Sequence, residues 1–428
     1  MLAKALALRF ARLGVHYGWA VVAVAFATSL ATAGALSVPA TLILPLNREF
    51  GWSVEQISGA LALRILLYGL MAPFAAALID RYGLRRVILS AIILIAAGLA
   101  LALKMGQVWH LVLLWGIVVG LGAGLTALVM GAIVAARWFT ERRGLALGIL
   151  TASSATGQLI FLPLAAWLEQ RYGWRVALAP TLVGLAVAGL AVLLFMADRP
   201  SDVGLEPYGE SAANAPSAEP PERGAFATLG EISGSGAFWI LAATFFVCGL
   251  STNGLIQTHF IAFCADFAVG SVTAASTLAM MAMFDFVGTI GSGWLSDRYD
   301  NRALLFVYYG LRGLSLLYLP GSSFSIYGLS LFAAFYGLDW VATVPPTARL
   351  TAQLFGRERA GVAFGWMYAA HMIGASAAAY GAGYSRSVLQ TYLPAFYAAG
   401  ALCLVAASLV WLIERRPAPA ATAARAPA

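Results

Sequence analysis

Charge is what this 428-residue chain has least of: Asp, Glu, Lys and Arg together make up 11% of it, and lysine occurs only as Lys4 and Lys104. Soluble domains carry roughly 25% charged and 45–50% apolar residues, whereas 61% of this chain is apolar and its mean hydropathy is +0.83. A water-soluble enzyme of this size is excluded on that ground. Disorder is excluded as well, because it requires high charge and low hydrophobicity. Cysteine is sparse too. Cys248, Cys264 and Cys403 all sit in apolar runs, and with an odd count and no CxxC or metal-ligand spacing they build neither a disulfide scaffold nor a zinc site. The net charge of +7 comes mostly from scattered Arg, not from the clustered basic face that nucleic acid requires. No nucleophile triad, HExxH or Walker pattern is present. Gly120-Leu121-Gly122-Ala123-Gly124 lies inside an apolar run with no phosphate-loop Lys. The chain is therefore expected to be neither an enzyme nor a cofactor binder.

What is there is length of apolar sequence. Only helices and closed barrels satisfy their backbone in lipid, and a helix needs about 20 apolar residues to cross it. Continuous runs, not ten-residue alternations, favour helices. Twelve runs are expected, at 17–45, 54–79, 85–104, 109–136, 142–168, 174–196, 237–265, 272–296, 303–319, 325–353, 358–385 and 390–413. The ninth is the weakest, because Arg312 interrupts it. Lys4, Arg9 and Arg12 precede a first run far longer than the roughly 7–15 residues of a signal-peptide core, so a retained first span is expected. An even number of spans puts both termini on one side. That side, with its alternate loops, carries 18 of the 26 cations against 5 opposite, and Arg64, Arg312 and Arg349 lie within or at the edge of spans. The positive-inside rule makes that side cytoplasmic, in an inner, multi-pass membrane protein.

The single long polar stretch, rich in Pro, Ala, Ser, Gly and Glu, divides the chain. The expected domains are an N-terminal six-helix bundle (1–197), a cytoplasmic linker (198–236), a C-terminal six-helix bundle (237–414) and a disordered tail (415–428). The two bundles are internally related. Asp80-Arg81-Tyr82 recurs as Asp297-Arg298-Tyr299, and Glu141-Arg142 with Gly144, Ala146 and Gly148 recurs as Glu358-Arg359 with Gly361, Ala363 and Gly365. All are 217 residues apart, which predicts two all-α bundles in the same orientation.

The loop Leu78-Ile79-Asp80-Arg81-Tyr82-Gly83-Leu84-Arg85-Arg86 resembles the G-x-L-x-D-R-x-G-R-R signature of the major facilitator superfamily. Its echo is Gly293-Trp294-Leu295-Ser296-Asp297-Arg298-Tyr299-Asp300-Asn301-Arg302. The first copy has Ala77 or Leu78 where the first Gly is expected. The resemblance covers essentially the whole chain. It implies the twelve-helix major facilitator fold, with gating latches at Asp80, Arg81, Arg85, Arg86, Asp297, Arg298, Arg302, Glu141, Arg142, Glu358 and Arg359. Within the superfamily the chain is most similar to the monocarboxylate and oxalate/formate transporter branch. Gly18-Trp19-Ala20-Val21-Val22 looks like that branch's first-span opening, Arg199 to Gly209 like its linker entry, and Met283-Phe284-Asp285-Phe286-Val287 like the eighth-span segment of animal monocarboxylate carriers. Two departures stand out: Thr289 occupies the position of those carriers' Arg, one turn after the Asp, and the first span lacks their late Lys.

Charged side chains at membrane depth cost about 2.5–3.5 kcal/mol on insertion scales, so each is a functional candidate. Arg64 lies about 15 Å below the outer end of the second span; Asp285, Asp339 and His371 fall near the middle of the eighth, tenth and eleventh. The resemblance puts spans one, two, four, five, seven, eight, ten and eleven around a central cavity. Arg64 then either binds an anionic substrate through its planar fork or neutralises Asp285 or Asp339. Asp285 either carries a coupling proton or forms a static ion pair. Asp339, beside Trp340 and ahead of Pro345-Pro346, which break the helix, is either a proton-coupling or ion-pair partner or the neighbour of a hinge. His371 either titrates or packs. Asn253, Gln257 and His259 in the seventh span and Gln158 in the fifth are expected to line the cavity or to join helices. Arg312, in a peripheral span, is expected to pair with Asp285 or to snorkel.

The expected function is secondary active transport of a small organic anion, a monocarboxylate, by alternating access with proton symport or exchange. The expected partners are that substrate, protons and lipid, with no nucleic acid, and the expected state is a monomer. Two alternatives stay open on the sequence: an efflux carrier for apolar compounds, and a non-transporting membrane sensor or scaffold.

Overall fold

The computed structural model describes residues 2–12, 14–126, 128–209 and 225–413. Among them, ten helices are long and apolar enough to cross a membrane unaided. These are span 1 (Gly18–Phe50), span 3 (Leu84–Ala102), span 4 (Val108–Trp138), span 5 (Arg143–Tyr172), span 6 (Trp174–Phe195), span 7 (Gly236–Ala265), span 8 (Ser271–Ser296), span 9 (Asn301–Gly321), span 10 (Ile326–Phe355) and span 12 (Leu393–Leu412). Span 2 is a bent pair, Val54–Leu70 and Phe74–Tyr82, with 57° between its segments. Span 11, Arg357–Val388, is 32 residues long. Its Gly, Ala and Ser lower its hydropathy but let neighbours approach closely. The tail beyond Ile413 and residues 210–224 of the expected linker lie outside the described residues.

The bends have local causes. Pro39 begins the second segment of span 1, directly after the segment Gly18–Ser37 has ended. Span 10 is two helices, Ile326–Asp339 and Val344–Phe355, and Pro345 and Pro346 sit in the first turn of the second. Proline tolerates a first turn, where its missing N–H is not needed, and disrupts an interior. Spans 4 and 7 each contain a π-helical stretch, Val112–Val119 and Leu250–Ile256.

Span 1 packs against spans 5 and 6 and span 4 against spans 2 and 3; likewise span 7 packs against span 11, span 8 against span 10 and span 9 against span 12. These two sets of six meet where span 2 lies along span 11 and span 5 along span 8. On the face opposite the arginine-rich loops the seam is closed. The Glu55 backbone N–H donates to Ser387 Oγ (2.9 Å), Tyr380 donates its hydroxyl proton to Glu55 Oε1 (2.6 Å), and Gln170 Nε2 donates to Ser271 Oγ (2.8 Å). Gly383 makes the approach possible: a Cβ there would lie 2.3 Å from Ser58 Oγ and 3.1 Å from the Val54 carbonyl. Towards the basic face, spans 5 and 11 each present glycines to open space. A Cβ added at Gly144 or Gly148 of span 5, or at Gly361 or Gly365 of span 11, meets no atom within 4 Å.

The basic face is fastened within each set. Asp80 pairs with Arg137 (2.5 Å) and Asp297 with Arg349, so the repeated acid ties span 2 to span 4 and span 8 to span 10. Arg302 bonds Asp300 (2.8 Å) and the Ile413 carbonyl (2.8 Å), and Arg359 meets Glu231 (3.3 Å). Arg85 donates through its side chain to the Leu193 carbonyl, Arg81 lies over Tyr82, Arg142 over Tyr208 and Arg298 over Trp294. Arg86 and Glu141 are exposed, and the Glu358 side chain lies outside the described residues. Exposed ion pairs of this kind contribute up to about 1 kcal/mol each, weak enough to be exchanged without unfolding anything.

Candidate functional site

Arg64 is the charge the N-terminal set buries without an opposite. It is 5% exposed, its Nη1 donates to the Ala35 carbonyl of span 1 over a long 3.3 Å, and its Nε has no acceptor. It meets neither Asp285 nor Asp339, so neutralisation of either acid by Arg64 is corrected. Gln158, half-buried in span 5, holds a second donor without an acceptor at Nε2, and its neighbour Gly157 presses against the Leu30 carbonyl of span 1. Tyr68 lies one helical turn after Arg64, and its hydroxyl comes close to that of Tyr368 of span 11 across the seam.

The C-terminal set presents an acid in the complementary condition. Asp285 Oδ1 accepts from Thr289 Oγ1 (2.9 Å) and from the Val341 backbone N–H (2.9 Å), two neutral donors, and no cation bonds it. Arg312 is wholly buried and pairs with Asp339 Oδ2 at 2.8 Å. The expectation that Arg312 pairs with Asp285 or snorkels to the surface is therefore corrected. The broken span 10 offers its guanidinium the Asp339 carboxylate together with the Asp339 and Trp340 carbonyls, a set of acceptors Asp285 cannot match.

Beside them a polar chain runs between spans 7 and 11. His371 Nε2 meets Asn253 Oδ1 (3.1 Å), whose Nδ2 donates to Gln257 Oε1 (2.7 Å), and the His371 ring stacks on Tyr368 with centroids 5.7 Å apart. Asn253 and Gln257 are partly exposed among buried neighbours. His259 does not join them: its place on the cavity is corrected, and of its two expected roles it takes the other, tying span 7 to span 11. Two residues past Gln257 it is turned about 200° around the helix; it is fully buried, bonded to the Ala379 carbonyl (2.8 Å) and packed on Tyr392.

Four participants were missed in the sequence. Tyr68 and Tyr368 had a legible signal, lying four residues after Arg64 and three before His371 on the same helix faces. Cys248, which accepts from Arg312 Nη1 at 2.9 Å, and the Ala35 carbonyl had none.

Two bundles of apolar spans, with unpaired charges at depth on both sides of their seam, define a membrane carrier rather than an enzyme. The sequence profile of the Major Facilitator Superfamily matches residues 22–379, and the chain belongs to that family of transporters. Among curated relatives, Monocarboxylate transporter 13 of Rattus norvegicus is 28% identical over 92% of this chain and 88% of its own length. The Uncharacterized MFS-type transporter YcxA of Bacillus subtilis is 25% identical over 88% and 89%. Among solved structures, a bacterial homolog of the human lysosomal transporter Spinster, inward-facing and unoccupied, superposes with a TM-score of 0.70 at 17% identity, covering 92% of this chain and 96% of that one. The likeness extends to the fold.

Proposed function

We propose that this protein is a secondary transporter that carries a small organic anion, a monocarboxylate, across the inner membrane by alternating access, with both termini and the basic face in the cytoplasm. The observation that carries this reading is the bare guanidinium of Arg64. A buried cation with one long bond to a carbonyl and an orphan Nε is an incomplete ion pair, and a carboxylate cargo completes it with two charge-assisted hydrogen bonds. The curated relatives named as monocarboxylate transporters support the same class of cargo. The contact of Glu55 with Ser387 on the far face, and the open space beside Gly144 and Gly361 near the basic one, support a carrier that is closed on the first of these faces.

Charge balance gives the coupling. Arg64 lacks an anion and Asp285 lacks a cation, so a carboxylate arriving at the first and a proton at the second leave the interior neutral. Exchange of one anion for another leaves Asp285 ionised throughout. Uptake of radiolabelled acetate, lactate and benzoate into proteoliposomes tests both parts. Arg64→Ala is expected to abolish uptake, and Asp285→Asn to abolish accumulation driven by a proton gradient while sparing exchange. Unchanged transport by both variants removes the site.

A further inference from the structure

The break in span 10 is built, not incidental. Residues 340–343 form a turn between the helices Ile326–Asp339 and Val344–Phe355, and backbone groups freed from the helical ladder at membrane depth survive only where protein satisfies them. Three other spans do so. From span 9, Arg312 Nη2 donates to the Asp339 and Trp340 carbonyls, the latter at 3.1 Å. From span 8, Ser292 Oγ donates to the Ala342 carbonyl (2.5 Å) and Asp285 Oδ1 accepts the Val341 N–H. From span 7, Cys248 Sγ meets Thr343 Oγ1 (3.3 Å) while accepting from Arg312. Asp285, Gly288, Thr289 and Ser292 form one face of span 8. Gly288 lets that face touch the break, since a Cβ there would lie 1.8 Å from the Leu338 carbonyl.

We propose that Arg312 is a positioning residue for transport: its fork holds the Asp339 and Trp340 carbonyls, keeps the turn at residues 340–343 from closing into continuous α-helix, and so presents the Val341 N–H that fixes the Asp285 carboxylate. Arg312 itself never meets cargo. Its planar guanidinium grips a carboxylate oxygen, two carbonyls and a sulfur at once, which a compact ammonium cannot do. The role rests on the reading above only in giving Asp285 a part in the cycle. The competing role is plain neutralisation of Asp339, and the two differ in what happens when both charges go together.

The test is Arg312→Met/Asp339→Asn, which keeps the charge balance and removes the grip, beside Arg312→Lys, which keeps the charge and loses the fork. Uptake of the best-transported of acetate, lactate and benzoate is measured in proteoliposomes, and hydrogen exchange of the peptide spanning 337–346 in detergent. The double variant is expected to lose at least tenfold in kcat with KM within twofold of wild type, and Arg312→Lys to fall between. Both should exchange the 337–346 amides faster. Wild-type kcat and protection in the double variant would overturn the proposal. If the double variant does not fold, wild-type kcat and protection in Arg312→Lys overturn it equally. If the unaltered protein carries none of the three acids, the reading under Proposed function fails, and the exchange rates alone decide this one.

Discussion

Arg64 reaches the carbonyl oxygen of Ala35 where Pro39, four residues further along, has no N–H to offer it. The missing proton of one residue thus becomes the acceptor of another. A guanidinium that borrows a carbonyl from a helix end, where the dipole is negative, is held in place without being neutralised. It stays available to an anion.

Pro39→Ala tests this relationship. With an N–H restored at position 39, the Ala35 carbonyl is drawn into the helix and Arg64 loses its acceptor. An unsatisfied buried donor costs about 1–3 kcal/mol, more when charged, so Pro39→Ala is expected to lower Tm by several degrees in the wild-type background. In an Arg64→Ala background the same change should raise Tm, because only the gain in helix pairing remains. Thermal unfolding of the four proteins reads the reversal of sign, and parallel shifts in both backgrounds disprove the link.

The closed side of the seam gives a second prediction. Gly383→Ala puts a methyl 2.3 Å from Ser58 Oγ and 3.1 Å from the Val54 carbonyl, and the latter is backbone that cannot turn aside. Spans 2 and 11 must separate there, loosening the Glu55 contacts to Tyr380 and Ser387. Transport kcat is expected to fall at least tenfold. A cysteine introduced at position 59, where its Cβ would lie 3.8 Å from the Tyr380 ring, should also react faster with a membrane-impermeant thiol reagent added from that face. Unaltered labelling would show that the seam does not depend on this approach.

How far the sequence carried depended on which quantity was asked of it. Twelve spans were legible because hydrophobic length is a one-dimensional property, and the 217-residue repeat because both copies keep Asp80 and Asp297 at the same helix end. Position along each span was legible too, by counting rise per residue along each run. Direction around the helix was not. Arg312 was expected to pair with Asp285 or to snorkel, yet it turns to the break in span 10, whose freed carbonyls no sequence pattern announces. Pro345 and Pro346 marked the break itself, but not that Val341 would use its N–H to hold Asp285. His259 and Gln257 are both polar and two residues apart, and helical geometry alone separates their fates.

A third prediction concerns the segment that leaves span 6. Asp198 caps the start of span 3 through the Arg85 N–H (2.6 Å). Further on, Tyr208 is stitched to the loop between spans 4 and 5: its N–H donates to the Trp138 carbonyl (2.8 Å), and its carbonyl accepts from Thr140 and Glu141 (3.0 Å each). Gly209 then turns away at φ +80, with no room for a side chain, since a Cβ would lie 2.5 Å from that of Glu141. Gly209→Ala combines left-handed strain with this clash, a cost of about 1–3 kcal/mol. The strap is expected to detach, seen as faster proteolysis between positions 198 and 209 and a lower Tm, with cargo KM unchanged. Cleavage at the wild-type rate would show that the strap needs no glycine.

The last prediction uses the phenol pair across the seam. Tyr68 and Tyr368 bring their hydroxyls close together where the two bundles meet, one turn from Arg64 and beside His371, which makes each the natural partner of the other. Removing one hydroxyl strands the other, at about 1–3 kcal/mol for a fully buried group and less for this half-buried pair, whereas removing both is close to neutral. Tyr68→Phe and Tyr368→Phe should each lower Tm, and the double variant should recover most of the loss. Transport need not follow stability. A carrier that must part this contact in every cycle is expected to turn over faster when the bond is gone, so the double variant should equal or exceed wild-type kcat although its stability does not exceed wild type. Additive losses in both quantities would mean that each hydroxyl serves a separate partner, and that the pair does not join the bundles.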